Sequence, residues 1–363
     1  MASHGVPRAS GVQPATDQDW RKEQQKIKDY KGLVDSLNGR IREHQFNTET
    51  FEMTSKLLKW NPEYYTLWNH RRLILRHRFQ YSNSRGPNDD SPPNHEALIS
   101  LISDDLVFLI PLLRKFPKCY WIWKHRRWLL DEASGLLTAS ETRKFWQQEL
   151  ALVGKMLNLD SRNFHGWGYR RTVIEALERD ALQAEGLSTS MTRQEFDYTT
   201  KMINTNLSNF SAWHNRSKLI PKLLDEMKAD HQVRKKFLDD ELELIERALW
   251  AGPEDQSLWF YHQYLVCTFD PKYTADSMVP EITGAESMAY VRKEIMKVRE
   301  MLDGAEDCKW IYQSLIHLDR LYHELGNDWF EEASHIEGYF DELTKLDSLR
   351  LGKWNDLRGR INI

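Results

Sequence analysis

Cysteine is scarce in this sequence: Cys119, Cys267 and Cys308 are the only three, and they lie far apart. No disulfide framework and no paired-cysteine metal site can be drawn from that spacing, so each is expected to be a small core or surface residue. No apolar run approaches the roughly 20 residues that a membrane-spanning helix needs. The first 19 residues are polar and lack the apolar centre of a secretory signal. Neither charge dominates: lysine plus arginine is 50 and aspartate plus glutamate 54, a net charge of −4. Nucleic-acid binders usually carry a basic excess, so none is expected as a partner. Glycine-rich phosphate cradles of the GxxxxGK[ST] or GxGxxG type are missing, and so is HExxH. Three Asn-x-Ser triplets, at Asn206, Asn209 and Asn215, are chance matches to a glycosylation signal in a chain with these features. The combination predicts a soluble protein of the cytoplasm.

What the chain has in abundance is aromatic residues, with 14 each of Trp, Tyr and Phe, in a polar setting of mean hydropathy −0.66. Many of these aromatics recur in register. Trp68, Trp123, Trp167 and Trp213 are each preceded three residues earlier by Tyr65, Tyr120, Phe164 or Phe210, and followed three residues later by Arg71, Arg126, Arg170 or Arg216. Weaker copies surround Trp259 and Trp310, and the intervals between the six tryptophans are 55, 44, 46, 46 and 51 residues. Self-similarity at a period of this size marks a repeat architecture. An amphipathic stretch such as 51–58 precedes the tryptophan, and a breaker separates the two: Asn61-Pro62, Phe116-Pro117 or Gly252-Pro253. Proline stops the first helix and pushes the residue before it out of the helical region. Thr138 with Glu141, and Thr192 with Glu195, read as capping boxes that open two of the first helices. Each unit is therefore a helix–turn–helix hairpin.

Strand signals are poor, and the expected fold is all-α: a right-handed superhelix, or solenoid crescent, of antiparallel helix hairpins. Residues 1–19 are expected to form a disordered tail and 20–363 a single repeat domain. A helix near 20–37 precedes the first repeat. Surface loops are expected at 81–95, 184–191 and 270–286, and 331–346 with 349–360 should form a closing hairpin that caps the array. On the second helix Trp68, Arg71, Arg72 and Leu75 share one face. Tryptophan and leucine at that spacing pack between hairpins. A half-buried guanidinium needs acceptors, and two readings are open: a bridge to the adjacent hairpin, or a substrate contact.

The Trp-x-x-Arg motif with an upstream Tyr-Tyr or Asn-Phe, at intervals near 45 residues, resembles the repeats of protein prenyltransferase α subunits over about residues 20–360. Asn61-Pro62-Glu63-Tyr64-Tyr65-Thr66-Leu67-Trp68 and Asp160-Ser161-Arg162-Asn163-Phe164-His165-Gly166-Trp167 are most similar to the Rab (type II) geranylgeranyltransferase branch, in a compact form like that of fungi. The resemblance implies a heterodimer with a β subunit, which holds the catalytic zinc and the isoprenoid pocket. It also implies geranylgeranyl diphosphate as co-substrate, and a Rab GTPase delivered by an escort protein. The family lysine that reaches the diphosphate corresponds to Lys118. Tyr65, Tyr120, Trp121, Arg162 and His165 fall on or beside the turns that face the β subunit in the family, and are candidate substrate-binding residues. Relatives that farnesylate carry glutamine where this chain has Trp121, which argues against direct reading of a C-terminal tetrapeptide. Two alternatives stand beside this reading: the α subunit shared by farnesyltransferase and type I geranylgeranyltransferase, or a non-catalytic helical scaffold.

Overall fold

A computed structural model describes residues 16–83, 95–185, 190–326 and 330–361. Most of the expected N-terminal tail, most of the 81–95 loop and the centre of the 184–191 loop lie outside these residues. Among the described residues there are fifteen α-helices, three short 3-10 turns and no strand, so the all-α expectation holds. None of these helices is long and apolar enough to cross a membrane.

The chain divides into two compact units, residues 1–189 and 190–363. In the first, α1 (Asp17–Arg42) packs on α2 (Thr48–Trp60). Three hairpins then follow: α2 with α3 (Tyr65–Asn83), α4 (His95–Lys115) with α5 (Tyr120–Leu136), and α6 (Ala139–Leu159) with α7 (Phe164–Glu185). The second unit holds four hairpins. These are α8 (Thr192–Thr205) with α9 (Phe210–Glu226), α10 (His231–Ala251) with α11 (Gln256–Val266), α12 (Gly284–Glu300) with α13 (Lys309–Gly326), and the closing pair α14 (Ala333–Leu346) and α15 (Leu351–Arg360). The 270–286 segment runs irregularly, with a 3-10 turn at Thr274–Asp276, into the Thr283–Glu286 capping box that opens α12. Second helices also pack on one another: α3 on α5 and α5 on α7 in the first unit, α9 on α11 and α11 on α13 in the second.

The marker tryptophan has a double task. Trp68, Trp123, Trp167, Trp213 and Trp259 are all buried, and burying an indole N–H requires an acceptor. Each finds one in the carbonyl six residues upstream, at 2.8, 2.9, 2.9, 2.8 and 2.6 Å respectively. That bond ties the second helix to the turn that precedes it. In the sixth copy the residue making the equivalent bond is Tyr312, whose hydroxyl donates to the Glu306 carbonyl at 2.8 Å. Trp310 lies two residues earlier, so the marker there is a tyrosine.

The arginines three residues after the tryptophan bridge to the next hairpin. Arg71 Nε donates to Asp105 of α4 at 2.8 Å, Arg126 Nε to Glu149 of α6 at 2.9 Å, and Arg216 Nε to Glu241 of α10 at 2.8 Å. Each carboxylate is claimed a second time by its own hairpin, from two residues past the marker: His125 on Asp105 at 2.7 Å, Tyr169 on Glu149 at 2.6 Å, and Tyr261 on Glu241 at 2.5 Å. Buried charge is tolerated because every such pair is also hydrogen-bonded. In the fifth copy His262 takes the arginine's place and meets Glu294 at 3.1 Å.

One expected cap fails. Thr138 and Glu141 do form a capping box, but Thr192 lies inside α8, whose N-cap is Met191 without a side-chain bond. The Thr192 hydroxyl donates to Glu226 at 3.0 Å instead. Glu195 is buried, and it stands 46 residues after Glu149 and 46 before Glu241, the interval of the bridging carboxylates. A core position of the repeat draws it away from the helix terminus.

Candidate functional site

The turns at Pro62, Pro117 and Pro253 are each fixed from two sides. The Pro117 carbonyl accepts the Trp123 indole N–H at 2.9 Å and also the Asn163 side-chain amide at 3.0 Å, from the following hairpin. A carbonyl has two lone pairs and can serve both donors. The Pro62 carbonyl is held likewise, by Trp68 at 2.8 Å and the Cys119 thiol at 3.5 Å. In the second unit, Trp259 and Cys308 share the Pro253 carbonyl. Two of the three cysteines therefore have a defined place, four residues before a marker and buried. Burial pushes the thiols of Cys119 and Cys308 up to about 11.

Lys118 follows directly on the clamped Pro117 carbonyl, in the turn between α4 and α5, and is exposed. Its side chain has no ion-pair or hydrogen-bond partner among the described residues. Beside this turn the opening residues of α3, α5 and α7 form a row of rings. Tyr65 lies 5.5 Å from Trp121, Trp121 5.2 Å from Tyr120, and Tyr120 6.1 Å from His165, which meets Phe164 at 5.8 Å. Aromatic pairs at such separations attract in tilted and edge-on arrangements. Tyr65, Tyr120 and Phe164 are nonetheless 56%, 48% and 77% exposed, an unusual display of ring surface for helix ends. The Lys124 ammonium stands 5.6 Å from the ring centres of both Tyr120 and Trp121.

Of the six residues singled out from the sequence, four (Tyr65, Tyr120, Trp121 and His165) are thus joined in one row. Arg162 is exposed on the turn before α7, and no described contact joins it to that row. His165 meets rings; no hydrogen bond links it to Lys118 among the described residues.

Behind the row, α5 and α7 enclose a groove of about 410 Å³, with Arg72 of α3 reaching into it; Tyr120, Lys124, Trp128, Phe164 and His165 are among its walls. Arg72 Nε donates to Nδ1 of His125 at 3.3 Å. A guanidinium cannot accept, so Nδ1 must, and the His125 proton sits on Nε2, where it is donated to Asp105 at 2.7 Å. Burial drives His125 down to about 4, against the pull of Asp105, and keeps it neutral. Neither this linkage nor Lys124 was evident from the sequence. A carboxylate in each of α4, α6, α8 and α10, at 44- to 46-residue intervals through Asp105, Glu149, Glu195 and Glu241, was the signal available for the buried bridges.

No group of three or more His, Cys, Asp or Glu among the described residues could hold a metal ion.

Five segments, residues 48–78, 102–133, 146–177, 192–223 and 238–269, match the protein prenyltransferase alpha subunit repeat, and each falls on one of the five hairpins from α2/α3 to α10/α11. The chain belongs to the protein prenyltransferase α-subunit family. Within it, the chain is similar to the geranylgeranyl transferase type-2 subunit alpha of Candida albicans, at 32% identity over 97% of this chain and 96% of the relative. It is equally similar to the protein of that name from Schizosaccharomyces pombe, at 32% over 99% and 98%. Its fold is also that of a chain in the solved structure of Candida albicans protein geranylgeranyltransferase-I complexed with GGPP, with a TM-score of 0.59, 18% identity and coverage of 90% and 89%.

Proposed function

We propose that this chain is the α subunit of a heterodimeric Rab geranylgeranyltransferase that acts in the cytoplasm. In this reading residues 20–363 form one repeat domain around a β subunit. The complex transfers a geranylgeranyl group from geranylgeranyl diphosphate to C-terminal cysteines of Rab GTPases presented by an escort protein. The observation that carries it is the exposed, unpaired Lys118 on a turn held from both sides, beside a row of exposed rings. A rigid turn fixes the backbone from which the ammonium reaches, while the side chain's own rotamers are ordered on binding. The rings supply apolar surface of the kind that a partner covers.

The chemistry is a displacement at the first carbon of the isoprenoid: a carbon–sulfur bond forms, the carbon–oxygen bond to diphosphate breaks, and negative charge grows on the leaving group. Zinc held by the β subunit would lower the pKa of the attacking thiol. The part assigned to this chain is electrostatic. Lys118 binds the diphosphate, and its charge is worth more in the transition state than in the ground state. Tyr65, Tyr120, Trp121 and His165 line the approach and cover it from water.

The runner-up, the α subunit shared by farnesyltransferase and type I geranylgeranyltransferase, is disfavoured at Trp121. Its indole is packed between Tyr65 and Tyr120, where a tetrapeptide carboxylate would need an amide. Co-expression with a type-2 or a type-1 β subunit, followed by lipid transfer to a Rab–escort complex and to a tetrapeptide substrate, separates the two. Transfer to the tetrapeptide with the type-1 β subunit alone would sink the proposal, as would failure to pair with any β subunit.

A further inference from the structure

The arginines of the first unit differ in how their charge is met. Arg71 has Asp105, Arg126 has Glu149, Arg76 has Glu132 at 2.6 Å, and Arg127 has Asp131 at 3.6 Å. Arg72 meets no carboxylate among the described residues. It leans on neutral His125 and on the face of Trp128, 5.5 Å from the ring centre, while its Nη2 is shut off from solvent without an acceptor. Burial accordingly lowers its pKa, with Arg76 adding to the effect. Lys124, on the same groove, lies over the rings of Tyr120 and Trp121 and has no ion pair among the described residues. Two cations thus enter one aromatic groove of about 410 Å³ with no carboxylate in contact with either among the described residues, since the groove's own Asp131 pairs with Arg127.

Holding a half-buried guanidinium without an anion is unfavourable unless something else completes it. Its planar fork matches a carboxylate through two parallel bonds. Arginine with tyrosine and tryptophan in a pocket is also the composition of energetic centres in protein interfaces. Asp131 also lines the groove and its charge is met by Arg127, so it is the aromatic walls, not the charge balance, that favour a protein carboxylate over a diphosphate.

We infer that this groove anchors the β subunit, with Arg72 and Lys124 receiving an aspartate or glutamate side chain of that partner. The inference rests on the heterodimer reading above and adds to it the chemistry of one contact. Lys124 is exposed and Arg72 half-buried, so a partner carboxylate meets the Lys124 ammonium and the open edge of the guanidinium, while the enclosed Nη2 is reached only after neighbouring side chains shift. Loss of either cation should show in affinity rather than in folding.

The test is the dissociation constant of the full chain for a type-2 β subunit, measured over a range of salt, with Arg72→Ala, Arg72→Lys, Lys124→Glu and the unsubstituted chain. We expect Arg72→Ala and Lys124→Glu each to weaken the complex at least tenfold, and Arg72→Lys to lose less. The salt dependence should flatten in Arg72→Ala, which removes a charge, and flatten further or invert in Lys124→Glu, which reverses one. Lys124→Glu alters no buried contact, so it reports even if Arg72→Ala perturbs the His125 linkage; unfolding curves identify that case. Affinities within twofold of the unsubstituted chain would overturn the inference while leaving the heterodimer standing. Normal β affinity with weakened binding of geranylgeranyl diphosphate would reassign the groove to the lipid's head, and overturn it too. If the unsubstituted chain forms no complex, the heterodimer reading falls and this inference falls with it.

Discussion

The Trp123 indole N–H and the Pro117 carbonyl are 2.9 Å apart, and the peptide unit they fix is the one that leads into Lys118. The residue that marks the repeat therefore also aims the residue proposed to touch the diphosphate. Trp123→Phe should keep an aromatic ring but remove the donor and part of the buried indole volume, costing about 2–3 kcal/mol of stability in urea unfolding. It should also slow lipid transfer. Trp68→Phe removes the same bond at Pro62 and should cost similar stability with little effect on the transfer rate. Equal slowing by both would mean that the bond supports the fold generally and does not aim Lys118.

Lys118 itself is exposed and unpaired among the described residues. Replacing it with alanine should leave the unfolding free energy within about 0.5 kcal/mol of the original. The single-turnover rate at saturating lipid should fall by roughly one to three orders of magnitude, the range for loss of a group that stabilises developing charge. Lys118→Arg, which keeps the charge and changes its shape, should fall less. An unchanged rate would remove Lys118 from the mechanism.

The helices were legible because a breaker, an aromatic and an arginine recur together. Proline marks where α2, α4 and α10 stop, and the indole marks where the second helix begins. Where one residue type substituted for another the reading slipped. Tyr312 satisfies the same carbonyl geometry as a tryptophan, yet Trp310 nearby carries the more conspicuous letter. Thr192 and Glu195 spell a capping box, but the repeat needs a carboxylate in its core at that register, and burial outweighs a cap. The site was legible only as far as the turns are. That Tyr65, Tyr120, Trp121 and His165 would meet follows from stacking hairpins at one interval, which brings equivalent positions side by side. The environment of Arg72 was not legible, because what singles it out is the lack of a partner that its neighbours have. Only three-dimensional packing reveals a missing acceptor.

Glu149 accepts from Arg126 at 2.9 Å and from Tyr169 at 2.6 Å inside the first unit. Glu149→Ala would leave a buried guanidinium uncompensated and should cost about 3–5 kcal/mol. Tyr169→Phe removes one hydrogen bond and should cost about 1 kcal/mol. Pairing Glu149→Leu with Arg126→Met removes both charges and should recover much of the loss. Chemical denaturation of the four chains decides this; a double variant no better than Glu149→Ala would show that the bridge is not an isolated electrostatic pair.

The stability of the first unit should also depend on pH through His125 and Asp105. Burial lowers His125 from 6.5 to about 4. Asp105 is lowered from 3.8 to about 2, because Arg71 and His125 outweigh the burial that would raise it. In both cases the folded pKa lies below the unfolded one, so the unfolded chain binds more protons and acid favours unfolding. The His125 contribution is complete above about pH 6.5 and is lost as pH falls toward 4; that of Asp105 is complete above about pH 4 and is lost toward 2. One pKa step is worth about 1.4 kcal/mol, so His125 alone should withdraw roughly 3 kcal/mol between pH 6.5 and 4. His125→Gln can still donate to Asp105 but cannot titrate. Its unfolding free energy should therefore fall less steeply across that interval, and the gap between variant and original should narrow as the solution is acidified. Parallel pH profiles would show that His125 is not the group acid attacks first.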